Sequence, residues 1–343
     1  MSADAMIAHR TRKRSFGGGA LRVRFLGVFA FLVLLFVVFS ILDPRFLTWP
    51  NARSILFTGA ILAIAALGQT LVVLTGNLDL SVGSIMGLTA YVVFDIAGKV
   101  TALQPWVVLM AMIIGAVLGS INGILVTLLK IPSIVATLGT LSIYRGFVSF
   151  YANAKEVTSG TLPAWSKSLA AQIWLGLPAY VWISAILVAI VAIALARLPW
   201  GRMVYAYGSN PKAARFYGLN STGIVIGAYI GAGVIAAIAG LLLGAQVGNI
   251  NSLLANGIEL EVLAAVVIGG VSIWGGTGSV IGAAFGAIVL ATIDNGLVLL
   301  GVNEFYRLII QGVAIIAAVG MDAIIQRNVH RATSRRSIME VKA

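Results

Sequence analysis

From Phe25 to Met321 the chain alternates long apolar runs, nearly free of charge, with short polar interruptions. A helix needs roughly 20 predominantly apolar residues to cross the hydrocarbon layer of a bilayer. Water is absent there, so a crossing segment must satisfy its own backbone, and a helix does this within one segment. The runs are continuous rather than alternating residue by residue, so the pattern predicts helices and not a transmembrane barrel. Punctuated by Gly, Pro and Asn, it gives about ten spans, at 23–42, 53–75, 80–98, 104–129, 132–152, 177–197, 222–247, 257–274, 277–300 and 304–323. The fifth opens at Pro132 and is compatible with a re-entrant segment; the eighth is short and Gly-rich. Segments of that kind line interiors more often than they face lipid. The expected fold class is all-α, a polytopic transmembrane helical bundle.

Composition agrees with the pattern. Of 343 residues, 60% are hydrophobic and 10% charged, against about 25% charged in ordinary soluble domains. The net charge of +12 changes the picture only in where it sits. "HRTRKR" at 9–14, Arg22, Arg24 and "QRNVHRATSRR" at 326–336 place the bases at the two ends. Basic segments stay on the cytoplasmic side, so both termini are expected inside, and ten spans return the chain there. Most of the 23 Lys and Arg then lie inside as well. No aromatic residues interleave with the bases as a nucleic-acid stacking surface would require, so no nucleic-acid partner is expected. The segment "FLGVFAFLVLLFVVFSIL" is followed by no small-residue cleavage pair and reads as an uncleaved first span rather than a signal peptide. A basic tail 1–22, a permease domain 23–325 and a basic tail 326–343 follow as the expected organisation.

The chain has no cysteine, so thiol catalysis and Cys-based metal sites are excluded. It contains no GxxxxGK[ST], HExxH or GxSxG, and His9 and His330 lie in the tails; no catalytic constellation or metal site is expected. Tryptophans cluster in and just beyond the external segment 153–178, where an interfacial belt explains them.

Polar residues inside or between spans are therefore the candidates. The loop 198–221 contains "SNPKAARFYG", punctuated as a short helix: Ser209 or Asn210 to cap, Pro211 at the first helical position, Gly218 to close. With Lys212, Ala213, Ala214 and Arg215 it forms a capped element suited to docking a cytoplasmic partner, or an amphipathic connection at the headgroups. In "TGNLDLSVG" the Asn77-Leu78-Asp79 break lets the chain turn into the third span at Leu80–Ser81. At the cytoplasmic end Asp79 is hydrated and caps the following helix; inside the bundle it marks a pathway. Topology favours the hydrated cap. Gln69 and Asn122 are single amides within spans, suited to interhelical hydrogen bonds. Gly115, Gly119 and Gly123 recur every four residues, as in close helix packing. Asp294, beside Asn295 in "TIDNGL", reads as the most interior acid, a packed partner or a pathway group. Glu259 and Glu261 read as lying near the outer membrane end, available to basic residues of a binding protein. "GSIMG" at 83–87 faintly echoes "GSVIG" at 278–282, as repeats in transporters do.

Three stretches carry a resemblance: "GQTLVVLTGNLDLSVGSIMGLTA", "GSNPKAARFYGLN" and "ELEVLAAVVIGGVSIWGGTGSVIGAAFGAIVLATIDNGL". Together they resemble the membrane permeases of ATP-binding cassette (ABC) importers for monosaccharides, the ribose, xylose, arabinose, galactose, rhamnose and autoinducer-2 group, related to branched-chain amino acid permeases. Asp79 aligns with the family pattern, whereas Asn77 stands where many members carry glycine. The resemblance implies that Asn210, Pro211, Ala213, Ala214, Arg215 and Gly218 form a coupling helix docking on a separate ATPase subunit. It also implies ATP bound by that subunit and none here, a second permease copy or related permease, a periplasmic sugar-binding protein and the lipid of a bacterial inner membrane. Gln69, Asn77, Asp79, Ser81, Asn122, Asp294 and Asn295 are then candidates for the translocation path or gate. Alternatives are a branched-chain amino acid importer, a proton- or sodium-coupled secondary transporter with an essential Asp294, and a membrane scaffold or sensor.

Overall fold

The computed structural model describes residues 16–317, 319, 320 and 323. Most of the two basic tails and the end of the tenth expected span lie outside the described residues. Helices occupy the apolar runs: α1 (Phe16–Leu42), α2 (Trp49–Leu74), α3 (Val82–Lys99), α4 (Val107–Thr127) and α5 (Ser133–Ala152). A short helix α6 (Ala164–Ala171) and the hairpin β1 (Ile173–Trp174) and β2 (Leu177–Pro178) precede α7 (Ala179–Arg197). Next come α8 (Pro199–Ser209), α9 (Pro211–Phe216), α10 (Ser221–Val247), α11 (Ile258–Ile268) and α12 (Val280–Leu299). Residues 304–317 are helical again. This is an all-α polytopic membrane fold.

Seven helices are long and apolar enough to cross a membrane among the described residues: α2, α3, α4 with the 3-10 turn before it, α5, α7, α10 and α12. The expected fifth span is one of them, a continuous helix long enough to cross, and Pro132 opens it as the residue before the first turn. The expected eighth span is the short one. At 11 residues α11 reaches only about 16 Å, too little to cross, and its remaining length is a glycine-rich irregular stretch.

Burial orders these helices into layers. In α2, 89% of the apolar window is buried, against 22% in α7. The core therefore gathers around α2, with α10 and α12 against it and α3 packed on α10, while α4, α5 and α7 keep apolar outer faces. Helices in lipid gain little from hydrophobic exclusion and associate through close packing and hydrogen bonds instead. The predicted glycine ridge does this. Gly115, Gly119 and Gly123 on α4 meet Gly233, Tyr229 and Ile226 on α10, so close that a Cβ at Gly119 would collide with the Tyr229 carbonyl. Where α11 crosses α12, Gly269 faces Gly282 and Gly286 faces the Ala265 carbonyl.

The weak internal echo becomes structural, but in a shifted register. Ser81-Val82 opens α3 and Ser279-Val280 opens α12, each after an irregular break that follows a buried helix. The equivalence is thus Ser81 with Ser279, not Gly83 with Gly278.

Candidate functional site

The first break leaves α2 at Leu74 and turns at Gly76, whose φ of +76° suits a residue without a side chain. Irregular backbone is tolerated at membrane depth only where protein satisfies it. Leu78 donates its N–H to the Ser133 hydroxyl of α5 (3.2 Å) and accepts at its carbonyl from the Tyr229 hydroxyl of α10 (3.0 Å). Asn77 donates to the Thr75 hydroxyl at 2.9 Å and is half-buried.

Beyond it lies a buried polar relay. Thr140 Oγ1 donates to Asn122 Oδ1 (2.7 Å), Asn122 Nδ2 to Ser81 Oγ (2.7 Å), and Ser81 Oγ to Asp79 Oδ1 (2.7 Å). The Ser81 N–H also donates to Asp79 Oδ1, at 2.8 Å. None of these four side chains is more than 2% exposed. The hydrated position expected for Asp79 is thus corrected: the carboxylate closes the start of α3 as a local cap, but within the bundle. The reason is that the break sits among α4, α5 and α10, whose side chains replace water. Asp79, not Asp294, is the most interior acid.

The second break spans 269–279 and touches the first. Gly276 donates its N–H to the Leu74 carbonyl at the end of α2, at 2.9 Å. The end of α8 closes on the same point: Gly208 packs against the Leu74 carbonyl and Gly276, and Tyr205 donates its hydroxyl to the Gly278 carbonyl at 3.0 Å. Ser209 Oγ reaches the Tyr205 carbonyl at 2.8 Å, so it does not cap α9. That role falls to Asn210, whose Oδ1 accepts the Ala213 N–H at 3.0 Å. Pro211 takes the first turn and Gly218 closes at φ +75°. In this single-turn α9, Ala214 is buried and Lys212 and Arg215 are exposed. Phe216 and Tyr217 are 93% and 87% exposed. The sequence reading passed over this aromatic pair, although two adjacent aromatics before a closing glycine in a polar loop were signal enough.

Toward the opposite end, the remaining candidates divide. Asp294 forms an ion pair with Arg307 at 2.7 Å, with side chains 35% and 22% exposed, so its partner is identified. Asn295 Oδ1 is buried without a hydrogen-bond partner. Glu259 and Glu261 are half-buried rather than freely displayed, because α11 dips into the bundle instead of ending at its surface. Glu261 accepts a long contact from Gln311 (3.4 Å), and Glu259 packs against Gly83 with Oε2 buried and unpartnered. Nearby, Arg145 holds the descending loop by donating to the carbonyls of Leu254 (2.7 Å) and Ala255 (3.0 Å). Gln69 is 1% exposed and both its amide atoms lack a partner. The interhelical bond expected for it is absent. Asn122 makes the bonds expected of it.

Residues 51–319 match the family described as branched-chain amino acid transport system / permease component. Curated relatives named autoinducer 2 import system permease protein LsrC are similar over nearly the whole chain. The Escherichia coli (strain K12 / DH10B) protein is 38% identical, covering 88% of each chain. The Photorhabdus luminescens protein is 36% identical over 90% of this chain and 92% of its own. The Salmonella typhi protein is 37% identical over 90% and 89%. No solved structure matches the chain. Matched from residue 51 to residue 319, and 36–38% identical to these relatives over nearly its whole length, the chain is a member of the branched-chain amino acid transport system / permease component family.

Proposed function

We propose that this chain is the membrane permease of an ABC importer for a small polyhydroxylated ligand of the monosaccharide and autoinducer-2 class. Separate ATPase subunits bind and hydrolyse the ATP, a periplasmic binding protein delivers the ligand, and two permeases share the assembly in a bacterial inner membrane, termini inside. The observation that carries the reading is the junction of α8, α2 and the second break. A partner engaging Phe216, Tyr217 and Arg215 on α9 acts on α8, whose end is hydrogen-bonded to the second break and packs against Leu74, where the first break begins. A displacement at the docking helix therefore reaches the irregular backbone in the bundle interior without an intervening flexible loop. Such a change is driven only if the partner binds the two arrangements differently.

The neutral character of the interior separates sugar from amino acid as cargo. Asp79 is engaged with Ser81, Asp294 with Arg307 and Arg145 with the carbonyls of Leu254 and Ala255, an arrangement that favours a neutral hydroxylated cargo over a zwitterion. Glu259 and Glu261 are half-buried at the far end and are proposed as the region nearest the binding protein.

The test is ATP-dependent uptake in vesicles holding this chain, its ATPase and its binding protein, with native protein compared to the Arg215→Glu, Phe216→Asp double variant. Loss of uptake and of ATPase association, with the permease still inserted, is the expected result. Uptake that persists without any ATPase overturns the reading.

A further inference from the structure

At the end of the bundle that carries α9, an open cavity of about 410 Å3 lies between the α4–α5 turn, α9 and the start of α10. Its walls include Lys130, Arg215, Ser133, Ser221, Thr222 and Asn77, and no carboxylate lines it. Neither Lys130 nor Arg215 has an ion-pair partner among the described residues. Two unpaired cations facing one polar space repel each other unless an anion lies between them.

Two helix N-termini open into the same space. α5 begins at Ser133 after Pro132, with no side-chain cap, and its first intrahelical bond is donated by Ala136 to Pro132. The N–H groups of residues 133–135 therefore precede the helical ladder and need acceptors from elsewhere. α10 begins at Ser221, where the Asn220 side chain caps the Gly223 N–H at 3.0 Å, and its 27 residues present the positive end of their dipole there. Ser221 Oγ adds an independent sign: it is buried and has no hydrogen-bond partner. A hydroxyl, two cations and uncapped N–H groups are the donors that phosphate oxygens select.

We propose that this cavity binds a phosphate-bearing ligand, held by Lys130, Arg215 and Ser221 at the mouth of α5 and α10. Two sources share that chemistry. One is a free phosphorylated small molecule. The other is the headgroup of an anionic phospholipid, whose chains would lie along Leu129 and Val135, 63% and 60% exposed beside the cavity wall. Arg215 belongs to both the cavity and α9, so occupancy bears on the docking helix. The site itself stands on this chain's residues and does not depend on the transport reading.

The experiment uses the full-length permease in two arms. In detergent, inorganic phosphate and ribose 5-phosphate are titrated calorimetrically, with ribose as the neutral control. In nanodiscs of phosphatidylglycerol and phosphatidylcholine mixed equally, lipid retained on the released protein is identified by native mass spectrometry. Saturable binding of the soluble phosphates identifies a free ligand; selective retention of phosphatidylglycerol alone identifies a headgroup. In either arm Lys130→Gln weakens binding about tenfold, the order of one charge-assisted hydrogen bond, and Ser221→Ala a few-fold. The proposal is overturned if neither arm shows binding. It is equally overturned if Lys130→Gln, folded by size exclusion and circular dichroism, binds as the native chain does.

Discussion

Asn122 on α4 donates to the hydroxyl of Ser81 across 2.7 Å, and so holds the first residue before α3 from a helix more than forty positions further on. The same amide accepts from Thr140 on α5, so one side chain fixes three elements. Asn122→Leu leaves the Thr140 hydroxyl only its longer bond to the Thr137 carbonyl (3.3 Å) and Ser81 a donor short in a buried interior. Each unmet buried polar group costs about 1–3 kcal/mol, and the purified permease should melt several degrees lower. A melting temperature equal to that of the native chain would mean the relay contributes nothing to stability.

The α4–α10 crossing predicts a contrast among glycines. Gly119→Val places a branched side chain against the Tyr229 carbonyl, whereas Gly139→Ala on α5 meets no atom within 4 Å. Expression followed by size exclusion in detergent should show aggregation or strong loss of the first variant and native behaviour of the second. Equal yields would contradict the packing described.

For Asp294 the ion pair with Arg307 predicts a structural role. Asp294→Asn should lower stability by roughly 1–3 kcal/mol, between the values of exposed and fully buried pairs. The exchange of both residues, Asp294→Arg with Arg307→Asp, should restore most of it together with uptake. If stability returns but uptake does not, Asp294 acts on the transported species and the secondary-transport alternative regains support.

Capping of α9 is separable from its exposed surface. Asn210→Ala removes the acceptor for the Ala213 N–H, a loss of about 0.5–2 kcal/mol in capped helices. Asn210→Asp retains an acceptor. ATP-dependent uptake should fall in the first variant and persist in the second; equal uptake would show that the helix is held by its partner rather than by its cap.

Asp43, in the loop between α1 and α2, gives a pH dependence. The Arg45 guanidinium bonded to its carboxylate holds the Asp43 pKa below its ordinary value, and Arg45 also donates to the Leu299 carbonyl at the end of α12. Because the folded value is depressed, the contribution is present above the ordinary carboxylate range and is lost as pH falls through the folded value. Melting curves of native protein and Asp43→Asn should therefore differ at neutral pH and converge in acid. A difference that widens on acidification would show that the pair has the opposite sign.

Which parts of this molecule could be read beforehand follows from what a pattern encodes. Apolar runs the length of a bilayer announce α2, α4, α5 and α10, because length and composition alone decide whether a helix can cross. The glycines at 115, 119 and 123 announce a crossing, because only small residues let backbones approach. Depth is not encoded in this way. "GNLDLS" has the same composition whether water or protein surrounds it, and only Tyr229, Ser133 and Asn122, far along the chain, make it interior. α11 was hidden similarly: its apolar residues continue into Val271 and Ile273, yet Gly269 and Gly270 end the helix first. α9 was legible from its cap, proline and glycine, whereas Phe216 and Tyr217 are set apart only by their exposure.

The backbone of Leu78 is held from two sides, by Ser133 on α5 and by Tyr229 on α10. Moving the break relative to either helix has to break one of these bonds, and both belong to backbone that has no ladder of its own. Two side chains far along the sequence thus tether the one stretch of this region that its own secondary structure does not hold.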